Sequence, residues 1–252
     1  MKAILSVQGL GKIYPGFQLE DVSFTLQPGR IMGLIGKNGA GKSTTLKALL
    51  NMVQPDSGTV TMFGARMNEN ERDLKEKVGV VFGGIDFYPL KRLSTITAIT
   101  RRFYQAWDQH RYEEYLKRFG LDEHKLFKNL SSGMKVKYLL ALALSHQAEL
   151  LILDEPTSGL DPVSRDELLQ IFSCIVKAGR RSILFSTHIT SDLDRCADDI
   201  TYIQRGRVRL SADKATFLEA FNGLQRPQDQ GRLTLEDIML RSEREGMDEA
   251  AL

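Results

Sequence analysis

Cysteine is scarce in this chain of 252 residues, charge imbalance is slight, and long apolar runs and internal repeats are missing. Cys174 and Cys196 are too few and too far apart for a disulfide framework or a thiolate metal motif, and both suit a reducing cytosol. Lys and Arg number 34 against 32 Asp and Glu, a formal charge of +2. The surface as a whole therefore attracts neither nucleic acid nor anionic lipid, and no nucleic-acid partner is expected. Local pairs such as Arg101-Arg102 and Arg180-Arg181, and the alternating Arg205, Arg207 and Arg209, read as solvated faces. No run approaches the roughly 18 apolar residues of a membrane span. The apolar start of "MKAILSVQGLGK" breaks at Gln8 and Gly9, too early for a secretory leader. The expectation is a protein soluble by itself, whose membrane component, if it has one, belongs to another chain.

What is present is an alternation of strand and helix patterns, in a length that supports one large domain or one split into two lobes. In "VSFTLQPGRIMGLIG", Val22, Phe24 and Leu26 alternate with polar residues. Pro28-Gly29 turns the chain, and Ile31 to Ile35 is a continuous apolar strand. Leu46, Leu49, Leu50 and Val53 then recur at helical spacing, and "QPDSGTVTMFG" returns to a strand. Residues 87–148 change to helical character, with Phe103, Tyr104, Trp107, Tyr112, Tyr115, Leu116 and Phe119 read as the core of a helical lobe. "ELLILDEP" and "RSILFST" are short apolar strands separated by a helical stretch, as in a parallel α/β sheet. "ITYIQRGRVRL" reads as a terminal hairpin. From 224 onward the chain is polar, with one short amphipathic helix at "LTLEDIMLRS".

Three stretches carry chemistry. "GKNGAGKST" comprises Gly36, Lys37, Asn38, Gly39, Ala40, Gly41, Lys42, Ser43 and Thr44. It fills G-x-x-x-x-G-K-[ST] between a strand and an amphipathic helix. Its glycines let backbone N–H groups point inward at phosphate oxygens, and the helix N-terminus adds partial positive charge. Lys42 suits the β- and γ-phosphates, and the Ser43 hydroxyl suits Mg²⁺. "LLILDEP" ends a strand in two carboxylates, with Asp154 placed for the Mg²⁺ shell and Glu155 placed to polarise an attacking water. Together these indicate nucleoside triphosphate hydrolysis, and they leave transporter ATPase, kinase, helicase and GTPase all open. The third stretch, "NLSSGMKVKYLLALALSH", sets Ser131, Ser132 and Gly133 before a deeply apolar helix. A plain N-cap explains Ser131, and it leaves the rest of the turn unexplained.

The order of P-loop, helical insertion, "LSSGM", "LLILDEP", "SGLD" and "STH" resembles the nucleotide-binding subunits of ATP-binding cassette (ABC) transporters over about residues 1–215. The resemblance implies an α/β P-loop NTPase fold. A RecA-like parallel-sheet core (1–86 and 149–215) carries an N-terminal antiparallel β subdomain and an inserted helical subdomain (87–148) with the signature motif. The cassette ends at about 223, and a polar tail occupies 224–252. It also implies ATP and Mg²⁺ as ligands, and two cassettes stacked head to tail. Each nucleotide then lies between one subunit's P-loop and the other's signature turn, here Ser131, Ser132 and Gly133. Since each motif occurs once, the second cassette is a second subunit, a copy or a relative. A separate transmembrane permease is the further partner, holding the chain on the inner face of the membrane. Tyr14 matches the aromatic that stacks on adenine, Asp161 the residue that touches the partner's site, and His188 the switch histidine at the γ-phosphate.

Departures from the family pattern are as informative. Gly83, followed by Gly84, Ile85 and Asp86, stands where the family usually has a glutamine that serves Mg²⁺ and water, and a water or Asp86 are the candidates to take its place. Met134 and Ser132 depart from the usual signature, and serine is small enough to keep the turn. "FYQAWD", "LSSGMK" and "LEDIML" resemble the ABC-2 exporter group of antibiotic-resistance and drug-efflux ATPases. A soluble, non-transport ABC ATPase acting on nucleic acid or a protein partner is the other class consistent with these motifs.

Overall fold

The computed structural model describes residues 2–82, 88–179, 181–221, 224 and 233–248, with side chains to residue 243. The family's missing glutamine, at Gly83 to Asp86, lies outside the described residues. Two sheets organise the fold. The first is antiparallel, in the order β2-β1-β4-β5, from Leu5–Tyr14 (β1), Phe17–Leu26 (β2), Ser57–Met62 (β4) and Ala65–Arg66 (β5). The second has the order β10-β9-β3-β8-β7-β6. Its strands are Ile31–Ile35 (β3), Val78–Phe82 (β6), Leu150–Asp154 (β7), Ser182–Thr187 (β8), Asp199–Gln204 (β9) and Arg207–Asp213 (β10). All its pairings are parallel except the terminal β9–β10 hairpin. That hairpin turns at Arg205-Gly206, both with positive φ, which matches the right-handed strand twist.

The continuous apolar runs of the central strands follow from burial on both faces. Ile31, Ile35, Leu151, Leu153, Ile183 and Phe185 join a core shared with the helices. The alternate residues Met32, Leu34, Leu150, Ile152 and Leu184 join a second core under the antiparallel sheet and Lys42–Leu49 (α1). Each such side chain stabilises by about 1.5–3 kcal/mol. A one-residue slip of any strand would exchange the two sets. The short helix Glu71–Glu76 (α2) precedes β6.

Between β6 and β7 lie the helices Leu93–Thr100 (α3), Gln109–Arg118 (α4) and Ser132–Ser145 (α5). They are tied by buried hydroxyls. Thr97 bonds the hydroxyls of Tyr112 (2.8 Å) and Tyr138 (2.9 Å), and Tyr138 donates to the Leu93 carbonyl at 3.1 Å. Burial pushes the Tyr112 phenol up to about 12, partly opposed by the Thr97 bond. Tyr112, Leu116 and Phe119 are core, as the sequence implied, and Trp107 and Tyr115 pack against it. Phe103 departs from expectation: it is 72 % exposed, because the chain there is a short 3₁₀ turn rather than a helix with an inward face. Tyr104 instead stacks on His146, ring centroids 3.8 Å apart.

After β7 come Pro162–Lys177 (α6), Thr190–Cys196 (α7), Lys214–Ala220 (α8) and Leu235–Asp248 (α9). The last is longer than the amphipathic stretch foreseen. Thr234 and Asp237 exchange bonds across its first turn. Leu233, Leu235 and Ile238 are buried in the main core. None of the described helices is long and apolar enough to cross a membrane.

Candidate functional site

The C-terminal ends of β3, β7 and β8 bring the chemistry together, because parallel strands deliver their following loops to one edge. Register places Asp154 opposite Ser186 across β7–β8, and Ile35 opposite Thr187 across β3–β8. The P-loop follows β3. Gly41 has φ 113°, and a Cβ there would lie 2.6 Å from Leu19 Cδ2. Only glycine can both turn the backbone and clear that wall before α1 begins. Gly39, at φ 81°, faces open space on its Cβ side. Lys42 is buried and spans the loop, donating to the carbonyls of Gly36 (2.7 Å) and Lys37 (3.2 Å). Ala40 is also buried, and its carbonyl accepts from Gly206 N–H at 2.9 Å, which fixes the loop to the terminal hairpin. The resulting cleft, about 280 Å³, is lined by Lys37, Asn38, Gly39, Gly41, Lys42, Ser43 and Thr44 with Phe17 and Glu155.

The acidic side is a chain of short bonds. Ser43 Oγ donates to Asp154 Oδ1 at 3.1 Å, and Ser186 Oγ donates to the same oxygen at 2.6 Å. The Ser186 oxygen accepts from the Glu155 N–H at 2.9 Å. Glu155 itself has φ 49°, a left-handed backbone at a residue with a Cβ. Such strain costs on the order of 1–3 kcal/mol and persists only where surroundings enforce it. Its Oε2 accepts from His188 Nδ1–H at 2.8 Å. Its Oε1 is 3.1 Å from Lys42 Nζ, an ion pair outside hydrogen-bond geometry, so this buried oxygen has no hydrogen-bond partner. A carboxylate oxygen that is ion-paired with Lys42 but accepts no hydrogen bond, beside a phosphate-sized cradle, becomes an acceptor for a proton when that ammonium turns to phosphate. Ser43 and Asp154 present the hard oxygens that Mg²⁺ takes, and two protein ligands are what that ion typically uses when phosphates complete its shell. The residues fit both a triphosphate and its cation.

Other expected site residues stand apart. Ser131 is the N-cap of α5, its hydroxyl accepting from Met134 N–H at 3.2 Å. Asp161 caps α6, accepting from Val163 and Ser164 N–H, both at 3.0 Å, and the Ser164 hydroxyl together with those backbone bonds holds its carboxyl below the usual range. Ser131, Ser132 and Asp161 are exposed. Gly133 is buried and lies against Ser164 and Leu160, so the signature turn and the turn at Asp161 adjoin. Tyr14 sits half-exposed at the end of β1 with the Lys12 ammonium 5.7 Å from its ring. It does not line the cleft; its cross-strand partner Phe17 does.

Three residues of the site were not among those expected there. Phe17 and Ser186 reach it through register. Glu243 reaches it through the docking of α9: its buried carboxylate accepts from Tyr202 OH at 3.0 Å and pairs with Lys37 Nζ at 3.2 Å. Only the serine of "STH" offered any signal in advance, and that signal was its position at a strand end.

A strand–P-loop–helix unit facing paired strand-end carboxylates defines a nucleotide-binding cassette. The ABC transporter family profile matches residues 19–158, and the chain belongs to that family as an ATP-binding subunit. It is similar to the bacitracin transport ATP-binding protein BcrA of Bacillus licheniformis, with 31 % identity over 82 % of this chain and 69 % of that one. It is 32 % identical to the daunorubicin/doxorubicin resistance ATP-binding protein DrrA of Streptomyces peucetius, over 81 % of this chain and 63 % of that one. A solved ATP-binding subunit of an ABC transporter superposes with a TM-score of 0.81 at 28 % identity, over 94 % of this chain and 98 % of that one.

Proposed function

We propose that the chain hydrolyses ATP and, paired with a second cassette, energises a separate membrane permease that exports its substrate. The observation that carries hydrolysis is the bonded set of Lys42, Ser43, Asp154, Glu155 and His188 around one cleft. Lys42 exchanges its loop carbonyls for the β- and γ-phosphate oxygens, and the loop N–H groups hold the remainder. Ser43 and Asp154 would hold Mg²⁺, whose chemistry when bound is to neutralise charge on the phosphoryl oxygens. Glu155 orients a water and takes its proton at Oε1, while its Oε2 keeps His188 turned so that Nε2 is available to the transferring group.

Ser131, Ser132, Gly133 and Asp161 serve the partner's nucleotide. The outward position of Ser131, Ser132 and Asp161, and the separation of all four from this chain's own cleft, support that reading. Tyr14 or Phe17 supplies the adenine platform. The cassette spans 1–223, with residues 87–148 as the helical subdomain and 224–252 as an appended segment. An apolar groove of about 430 Å³ between core and helical lobe is lined by Leu50, Met52, Val80, Phe82, Tyr104 and Leu142 among others. It suits a cytoplasmic permease helix, which would hold the subunit at the inner membrane face. The relatives named for bacitracin transport and for drug resistance favour export over a soluble role. The test is ATPase activity of the purified chain alongside Glu155→Gln. Loss of turnover with ATP-dependent dimerisation on size-exclusion chromatography is the expected result, and unchanged turnover removes Glu155 from the mechanism. Recovery of a membrane partner from detergent-solubilised membranes separates the transport role from the soluble one.

A further inference from the structure

Behind the Glu155–His188 pair lies a carboxylate that the proposed chemistry does not use. Asp192, in α7, is fully buried. Its Oδ2 accepts from Thr157 Oγ1 at 2.5 Å and from Thr187 Oγ1 at 3.3 Å. Thr157 stands two residues after Glu155, and Thr187 immediately precedes His188. The Thr187 oxygen in turn accepts from Ile189 N–H at 3.0 Å, so the backbone on both sides of His188 is held. The two loops that carry the pair, one after β7 and one after β8, thus share a single anchoring oxygen.

The other oxygen is unsatisfied. Asp192 Oδ1 is buried without a hydrogen-bond partner, and so is Nε of Arg165 in the first turn of α6. The two elements are already joined nearby by an ion pair of Asp166 with Arg195. Burial raises the Asp192 carboxyl above the usual range, with the Glu155 charge adding to the rise and the Thr157 bond, the Arg165 charge and the Thr187 bond opposing it. A buried carboxylate half-satisfied in this way is costly unless its position matters, because each unpaired buried polar atom loses hydration without compensation. Its helix is set firmly enough to act as a post: Leu193 packs where a Cβ on Gly33 of β3 would be, 2.0 Å from its Cδ2.

We infer that Asp192 is a positioning residue for hydrolysis, holding the Glu155 and His188 loops in mutual alignment through Thr157 and Thr187. Asp192 does not line the P-loop cleft. The inference rests on the hydrolytic reading above, and it makes its own prediction. Misalignment at the water side should slow the chemical step, while the P-loop, held independently by Lys42 and Ala40, should still bind nucleotide.

The experiment compares the full-length chain with Asp192→Asn, Thr157→Val and Thr157→Ser. ATP affinity is read by calorimetry and turnover at saturating ATP, and amide hydrogen exchange is followed over residues 153–160 and 185–192. Asp192→Asn and Thr157→Val should lower kcat about tenfold or more, with ATP Kd within about twofold of the parent. Thr157→Ser, which keeps the hydroxyl, should restore turnover. Exchange in the two loops should quicken in the first two variants and not in the third. Equal losses of affinity and turnover would point to general destabilisation and overturn the inference. So would unchanged kcat with unchanged exchange. If the parent chain itself shows no turnover, the hydrolytic reading fails, and the exchange data still decide whether Asp192 aligns the two loops.

Discussion

The P-loop cleft and the signature turn are both built at helix N-termini, yet they spend their polar groups differently. In the cleft, Ser43, Asp154, Ser186, Glu155 and His188 hydrogen-bond to one another, and the remaining Glu155 oxygen pairs with Lys42 without a hydrogen bond. At the signature, Ser131 and the neighbouring Asp161 each bond their own helix and face outward. One region is furnished by the fold of a single chain. The other is capped, exposed and separate from that cleft, the arrangement that the proposed sharing of a site with a second cassette calls for. A turn can cap a helix and bind an anion with the same N–H groups, because unsatisfied amides and the helix dipole are common to both.

The sharpest way to break this contrast is Glu155→Gln, which keeps the shape of the residue and removes its basic oxygen. Turnover should fall about 100-fold or more in a phosphate-release assay, with ATP binding retained. Next is Lys42→Ala, which removes the buried ammonium bridging the loop. ATP affinity by calorimetry should weaken by roughly 2–3 kcal/mol, about 30- to 150-fold, whereas the same truncation at the exposed signature should barely change affinity in the isolated subunit.

The third concerns pH and bears on the signature-bearing helix. His146 closes the C-terminus of α5, stacked on Tyr104 with its Nδ1–H donating to the Glu76 carbonyl at 3.1 Å. Burial lowers its pKa to about 4 from 6.5, against the two backbone bonds that favour the charged ring. The unfolded chain therefore takes up this proton more readily than the folded one. The contribution is intact above about pH 6.5 and is lost on acidification toward pH 4, by about 1.4 kcal/mol per pH unit. Melting temperature should fall across that window, and His146→Gln should flatten the dependence. The smallest effect is expected for Ser131→Ala. Loss of the cap should cost about 1 kcal/mol of stability in a denaturant titration and leave P-loop affinity unchanged, while weakening ATP-driven dimerisation.

Most of the residues around the cleft were legible because their chemistry is local. Nine consecutive residues make the cradle, and an apolar run ending in Asp154 and Glu155 makes a strand-end acid pair, whereas His188 reads locally as an ordinary strand-end histidine and stood out only through the family resemblance. The strand set was equally legible, since burial on two faces writes an unbroken apolar run. Phe103 was misread because aromatics in a helical region imply an inward face, and here the local turn points outward.

Composition and local spacing alone determined the P-loop, the strand-end acids, the capping turns and the alternation of elements, since each depends on residues within one turn or one strand of each other. Register and docking decided the rest. Ser186 meets Asp154 only because β7 and β8 pair in that alignment. Phe17 reaches the cleft only because the antiparallel sheet lies over α1. Asp192 and Glu243 touch the loops they hold only after α7 and α9 have packed onto the sheet. Ser186 with Asp154 and Asp192 with Thr157 join residues 32 and 35 positions apart, and Glu243 meets Lys37 from the far end of the chain; no spacing rule spans such distances, because the energy that selects them is the burial of whole faces rather than the preference of any one residue.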